Sequence, residues 1–209
     1  MSARLRRTLA LPLPGGAAHQ ALAVRLRPGW TPGVVPEGLR PAAGLVLFYP
    51  RDDEWWIPLT VRGETMRRHG GQVSLPGGAV DRHETIEEAA VREAMEEIGL
   101  EPDGLTLVGG LSPLHVSVSG FALHPVVAVM PHAPTLVAAE HEVARILEAS
   151  LSDLLDVTRV KTRRQTLGGI DCDVPYLDLC GEAVWGATGM VLYELRAVLR
   201  TALADGTRR

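Results

Sequence analysis

The stretch from Thr85 to Gly99 predicts a helix with both ends specified. Thr85 precedes Glu88 by three residues, so hydroxyl and carboxylate can each satisfy the other's backbone N–H. Gly99 stands where a helix commonly stops on a residue able to turn left-handed. At about 100° per residue, Val91, Ala94, Met95 and Ile98 gather on one side, which is expected to pack on a sheet. The other side presents Glu93, Glu96 and Glu97, neighbours on a helix surface that repel one another. Either water solvates them or something positive faces them. Arg92 flanks the three and can reach Glu88 or Glu96.

The flanking runs are strand-like. "RPAAGLVLFYP" from Arg40 is continuously apolar, as a strand buried on both faces would be. "WWIPLTVR" predicts a second strand, with Pro58 tolerated only at an edge or bulge. "GLTLVGGL" and "FALHPVVAVM" predict two more, and "EVARILEASLSDLLD" begins as strand and ends as helix. "GATGMVLYELRAVLRTALA" has the apolar spacing of a C-terminal helix. One central and one terminal helix among strands predict a mixed-sheet α/β domain with a helix on each face. A chain of 209 residues suits one domain. Residues 1–36, rich in Pro and Gly, read as an N-terminal extension packed on a domain spanning 37–209.

A formal net charge of −4 argues against general nucleic-acid binding. No apolar run reaches about 18 residues, so a membrane is not an expected partner. The opening apolar run is broken by Pro12 and Pro14, too short for a secretory signal. Cys172 and Cys180 form neither a metal spacing nor a disulfide framework. Reduced thiols and a cytoplasmic location are therefore expected.

Just before the helix lies "SLPGGAVDRHET". Gly77 and Gly78 permit close backbone approach, and a glycine loop entering a helix is a usable phosphate or metal–carbonyl site. Carboxylate oxygens at this density suit Mg²⁺ or Mn²⁺, and no His or Cys stands where zinc would need one.

Gly78, Glu84, Arg92, Glu93, Glu96, Glu97 and Gly99, with apolar Ala94 and Leu100, reproduce the Nudix box. Seven fixed identities match by chance on the order of once in 10⁸ starting points. The chain thus resembles the Nudix hydrolases. That resemblance implies an α/β/α sandwich with a mixed β-sheet and a loop–helix–loop catalytic motif. It also implies metal-dependent hydrolysis of a nucleoside diphosphate linked to another moiety. By the family pattern Glu93, Glu96 and Glu97 are metal ligands, with help from the Gly78 carbonyl. Arg92 and Glu84 hold helix and loop together by an ion pair. The general base would be a helix carboxylate, Glu96 or Glu97, or Glu142 from a later segment.

Upstream, "LTVRGETMRRHGGQVSLPGG" resembles the signature of coenzyme A pyrophosphatases. Leu59, Thr60, Arg62, Arg67, Gly71, Pro76, Gly77 and Gly78 fall in register, while Pro58, Gly63 and Leu75 depart from it. This likeness implies cleavage of coenzyme A or its derivatives to 3′,5′-ADP and 4′-phosphopantetheine. ADP-ribose or another nucleoside diphosphate derivative is the alternative substrate. Arg40, Arg62 and Arg67, with Gly77 and Gly78, are the expected substrate-binding residues, since arginine can fork a phosphate through two hydrogen bonds. His69 and Gln72 are placed to line the same loop, and a homodimer is one expected assembly. A catalytically silent nucleotide sensor would tolerate loss of the box carboxylates, yet every one is present.

Overall fold

The computed structural model describes residues 1–24, 30–63 and 71–206. Strand β1, Arg40–Arg51, runs through the middle of the principal sheet. Its side chains alternate between two cores, as strand geometry requires. Leu45, Leu47 and Tyr49 face one core, and Val46 and Phe48 face the other. This is why the run is apolar at every position rather than at every second one.

The sheet is mixed. β7, Phe121–Val129, pairs with β1 in parallel, while β2 (Glu54–Arg62) and β4 (Gly77–Ala79) pair antiparallel with its two ends. The short β3 (Val73–Ser74) and β8 (Val143–Ser150) pair with β2. β5 (Thr106–Gly110) and β6 (Leu114–Val116) pair with β7. Pro58 lies where β2 has left β1 and is laddered only to β8, so its missing N–H breaks nothing.

Helix α3, Ile86–Ile98, covers one face of the sheet through Ala90, Ala94 and Ile98. Both expected caps form. Thr85 and Glu88 make the reciprocal box, and Gly99 is left-handed at φ 61°. The other face is covered by α5, Gly186–Gly206, through Met190, Val191, Leu195 and Leu199. The result is the α/β/α sandwich that the box implied. A short α4, Leu151–Leu155, follows β8 as its sequence predicted.

Two features lay outside the sequence reading. The N-terminal extension holds two helices that its Pro- and Gly-rich sequence did not announce, α1 (Ser2–Leu9) and α2 (Gly15–Ala21). Leu5 and Leu9 of α1 join the core beneath α5. The carboxylate of Glu194 on α5 is fully buried. It accepts from the Gly15 N–H at 3.0 Å and the Ser112 hydroxyl at 2.6 Å, and bonds the His19 ring at 2.9 Å. This polar knot ties the second helix to the last one. The second feature is a small antiparallel sheet of β9 (Val160–Leu167), β10 (Ile170–Leu179) and β11 (Glu182–Val184). Its first turn is Gly168–Gly169, both with positive φ, as a tight two-residue hairpin demands. Among the described residues no helix is long and apolar enough to cross a membrane.

Candidate active site

The box loop lies along β1, with Gly77 opposite Gly44 and Gly78 opposite Ala43. The two glycines are needed for different reasons. A Cβ on Gly77 would stand 2.2 Å from the Ala43 carbonyl oxygen, so backbone occupies that space. A Cβ on Gly78 would stand 2.4 Å from the Glu93 carboxyl, so a functional side chain occupies that one.

The helix sorts its glutamates. Relative to Glu93, position 96 falls about 60° to one side and position 97 about 40° to the other. Glu97 therefore turns inward and is only 4% exposed. It accepts from the Gly77 N–H at 3.1 Å and lies 3.9 Å from the Arg62 guanidinium. Burial pushes its carboxyl up to about 7; Gly77 and Arg62 oppose this, and Glu93 and Glu142 add to it. Burial raises Glu93 as well, against the pull of Arg92. Glu96 turns outward, its side chain 58% exposed, and pairs with Arg92 at 3.2 Å. The apolar side expected of this helix needs a matching correction: Met95 is exposed, while Ala90, Ala94 and Glu97 are buried.

Arg92 bolts loop to helix. Its Nε and Nη2 donate to the two oxygens of Glu84 at 3.0 and 2.8 Å, and Nη2 also donates to the Ala79 carbonyl. Nη1 donates to Glu93 at 3.0 Å. These bonds, with the Asp81 N–H, hold the Glu84 carboxyl down at about 2. Glu88, the other candidate partner of Arg92, is occupied with Thr85 instead.

A cleft of about 1220 Å³ opens on this cluster. Glu93, Glu97, Glu142, Arg62, Gly77 and Gly78 line it, as does Arg40, whose guanidinium lies 5.2 Å from the centre of the Phe121 ring. Glu142 comes from the turn before β8, and its carbonyl accepts from Gly63 beside Arg62. Gln72 also lines the cleft. Arg67 and His69 lie outside the described residues. The sequence reading missed a further wall formed by Leu167 and Ile170 beside the β9–β10 turn, with Trp185, Ala187 and Thr188 at the start of α5. The Gly168–Gly169 pair was the available signal for that turn.

In kind the donors fit a hard divalent cation, being carboxylate and carbonyl oxygens. Glu93 and Glu97 are withdrawn from water, and burial raises both carboxyls, with Glu96 and Glu142 adding to the rise at Glu93 and Glu93 and Glu142 adding to it at Glu97, as befits a cluster short of positive charge. Among the described residues no three acidic, His or Cys side chains yet converge on one point. Arg92 draws Glu93 and Glu96 to itself, and the Gly77 N–H holds Glu97.

Comparison with known proteins agrees with this geometry. The NUDIX domain family matches residues 38–164. The uncharacterized Nudix hydrolase NudL of Enterobacter sp. (strain 638) is 36% identical over 157 residues, covering 75% of this chain and 81% of that one. Its counterpart in Klebsiella pneumoniae (strain 342) is 34% identical, covering 78% of each chain. Among solved structures, the M. smegmatis Nudix hydrolase RenU superposes with a TM-score of 0.56 at 26% identity, over 78% of this chain and 86% of that one. The structure of a C. elegans Ap4A hydrolase binary complex shares the fold, with a TM-score of 0.52 at 18% identity over 78% of this chain and 99% of its own. The chain belongs to the Nudix hydrolases, enzymes of pyrophosphate-bond hydrolysis that generally employ divalent metal.

Proposed function

We propose that this enzyme cleaves the diphosphate of coenzyme A or its derivatives, giving 3′,5′-ADP and 4′-phosphopantetheine. The observation that carries the reading is the convergence of Glu93, Glu97, Glu142 and Arg62 with the Gly77–Gly78 loop on one cleft. Its volume of about 1220 Å³ exceeds the roughly 300–1,000 Å³ of ordinary small-ligand sites, so a long substrate suits it. The upstream residues from Leu59 to Gly78, in register with the coenzyme A signature, favour that substrate over a plain nucleoside diphosphate sugar.

Glu93, Glu96, Glu97 and the Gly78 carbonyl would hold Mg²⁺ or Mn²⁺. Such an ion would neutralise the diphosphate oxygens and lower the pKa of a bound water. Arg62 pairs with a phosphate oxygen beside these carboxylates, Arg67 is assigned to phosphate binding as well, and Arg40 serves the rest of the substrate. Glu142 takes a proton from water as water attacks phosphorus. A new P–O bond forms, the anhydride P–O bond breaks, and the departing phosphate keeps the electron pair. Two free thiols, at Cys172 and Cys180, accord with the cytoplasmic setting included in this reading.

Incubation with coenzyme A and Mg²⁺, beside ADP-ribose, tests it by product analysis. Release of 3′,5′-ADP is expected; ADP-ribose cut at a far higher kcat/KM would overturn the substrate. A Glu142→Gln variant that keeps its full rate would remove that residue as the base.

A further inference from the structure

Of the described residues that line the cleft, only Arg62 and Arg40 carry a positive charge. Arg62 keeps company with the carboxylates. It lies 3.9 Å from Glu97, and the next residue, Gly63, donates its N–H to the Glu142 carbonyl. Arg40 stands apart from them. Among the described residues no acid lies within ion-pairing distance of its guanidinium.

The strand fixes how far apart the two sites are. Arg40, Ala42 and Gly44 alternate onto one face of β1, and all three line the cleft. Gly78 pairs with Ala43, so the start of β1 carries Arg40 three residues, or about 10 Å, from the box loop. The guanidinium stays at that end. It lies 5.2 Å from the centre of the Phe121 ring, and Phe121 is the register partner of Arg40 on β7. A guanidinium over a ring uses its flat face, which leaves the N–H groups at its edge to donate. The turn between β6 and β7 closes the same end, since Val116 pairs with Phe121, and Ser117 on that turn brings a further donor to the cleft wall. A cationic fork held in place, with no acid to answer it, suits an anion brought by the ligand.

We infer that Arg40 reads a phosphomonoester of the substrate that is not cleaved. The inference rests on the reading of the cleft as a coenzyme A site, where that group is the 3′-phosphate, one ribose away from the diphosphate. Arg62 then serves the bond that breaks, and Arg40 the group that tells this substrate from one without the extra phosphate.

Binding of adenosine 3′,5′-bisphosphate and of 5′-AMP to the full chain in Mg²⁺ at low salt tests it by calorimetry; neither ligand carries an anhydride to be cut. The bisphosphate is expected to bind about tenfold more tightly, the lower end for a charge-assisted hydrogen bond. Arg40→Gln should bring the ratio of the two affinities close to one, and Arg40→Glu should turn it below one. Arg40 is exposed, so both changes leave the core untouched. Arg62→Ala removes the other cleft charge and should weaken both ligands while keeping the ratio. A wild-type ratio near one overturns the inference, as does a ratio that survives Arg40→Gln or one that falls as far in Arg62→Ala. Equal weakening of both ligands by Arg40→Gln, with the ratio kept, would place the base or the 5′-phosphate at Arg40 instead. Coenzyme A hydrolysis by the wild type separates the two ideas. A bisphosphate preference that depends on Arg40, without coenzyme A cleavage, keeps the role of Arg40 and sinks the substrate. Cleavage without that preference does the reverse.

Discussion

Replacing Glu97 by Gln should stabilise the metal-free protein while disabling the enzyme. The carboxyl is 4% exposed, and its pKa rises from the ordinary 4.5 to about 7. A carboxyl raised in the folded state contributes stability that is complete below 4.5 and lost as pH climbs through 7. The rise corresponds to about 3 kcal/mol at pH 8, and to under about 1 kcal/mol at pH 5. Glutamine keeps the shape and an oxygen to accept the Gly77 N–H, so it removes the cost of the buried charge and little else. For a chain of this size about 3 kcal/mol is roughly 6–12 °C in Tm. Thermal unfolding with chelator should therefore show Glu97→Gln melting higher than wild type at pH 8 and nearly level with it at pH 5. Adding Mg²⁺ should raise the wild type and leave the variant unmoved, and kcat should fall by about a hundredfold or more. A variant that melts lower at pH 8, or gains equally at both pH values, would refute the burial argument. Near-normal activity in saturating Mg²⁺ would refute the ligand role.

The paired glycines should part company on substitution. Gly77→Ala drives a methyl into backbone and should cost about 1–3 kcal/mol in chemical denaturation, whereas Gly78→Ala meets only the movable Glu93 carboxyl and should spare the fold but lose activity; equal stability losses would contradict this. Arg62→Ala should lower kcat/KM by roughly ten- to a hundredfold, to the same degree for coenzyme A and 3′-dephospho-coenzyme A, since Arg62 sits with the carboxylates. Unequal loss would place it at the extra phosphate. Protons should compete with metal at Glu97, so Mn²⁺ affinity followed by titration should weaken about tenfold for each pH unit below about 7. An affinity flat from pH 5 to 7 would exclude that competition.

Much of the fold could be read ahead of the structure because its signals are local. Thr85, Glu88 and Gly99 specify α3 through contacts made within a few residues. The unbroken apolar run of β1 states that both its faces are covered. α1 carries no such signal: it forms because Leu5 and Leu9 find a core completed by α5. The β9–β10 hairpin hid behind charged, exposed strand positions, with only Cys172 and Val174 turned inward early in β10. In the site, spacing placed three glutamates on one side of a helix but could not say which would meet the sheet. Glu97 is buried where apolarity pointed to Met95, since function and packing compete for the same face. Glu142 reaches the cleft through tertiary pairing of β8 with β2, which no local spacing reports.

The knot around Glu194 has a consequence for the order in which the molecule assembles. Gly15 and His19 are bound by a carboxylate 179 and 175 residues further along the chain. On a growing chain these early residues emerge long before α5 exists to receive them. Their docking closes a loop nearly as long as the protein, so it belongs to the last stage of folding and carries that loop's entropy. Until then α1 and α2 lack the core that Leu5 and Leu9 require, and the first helices of the sequence are among the last to form. Trimming the chain at its end, before Glu194, would therefore undo its beginning.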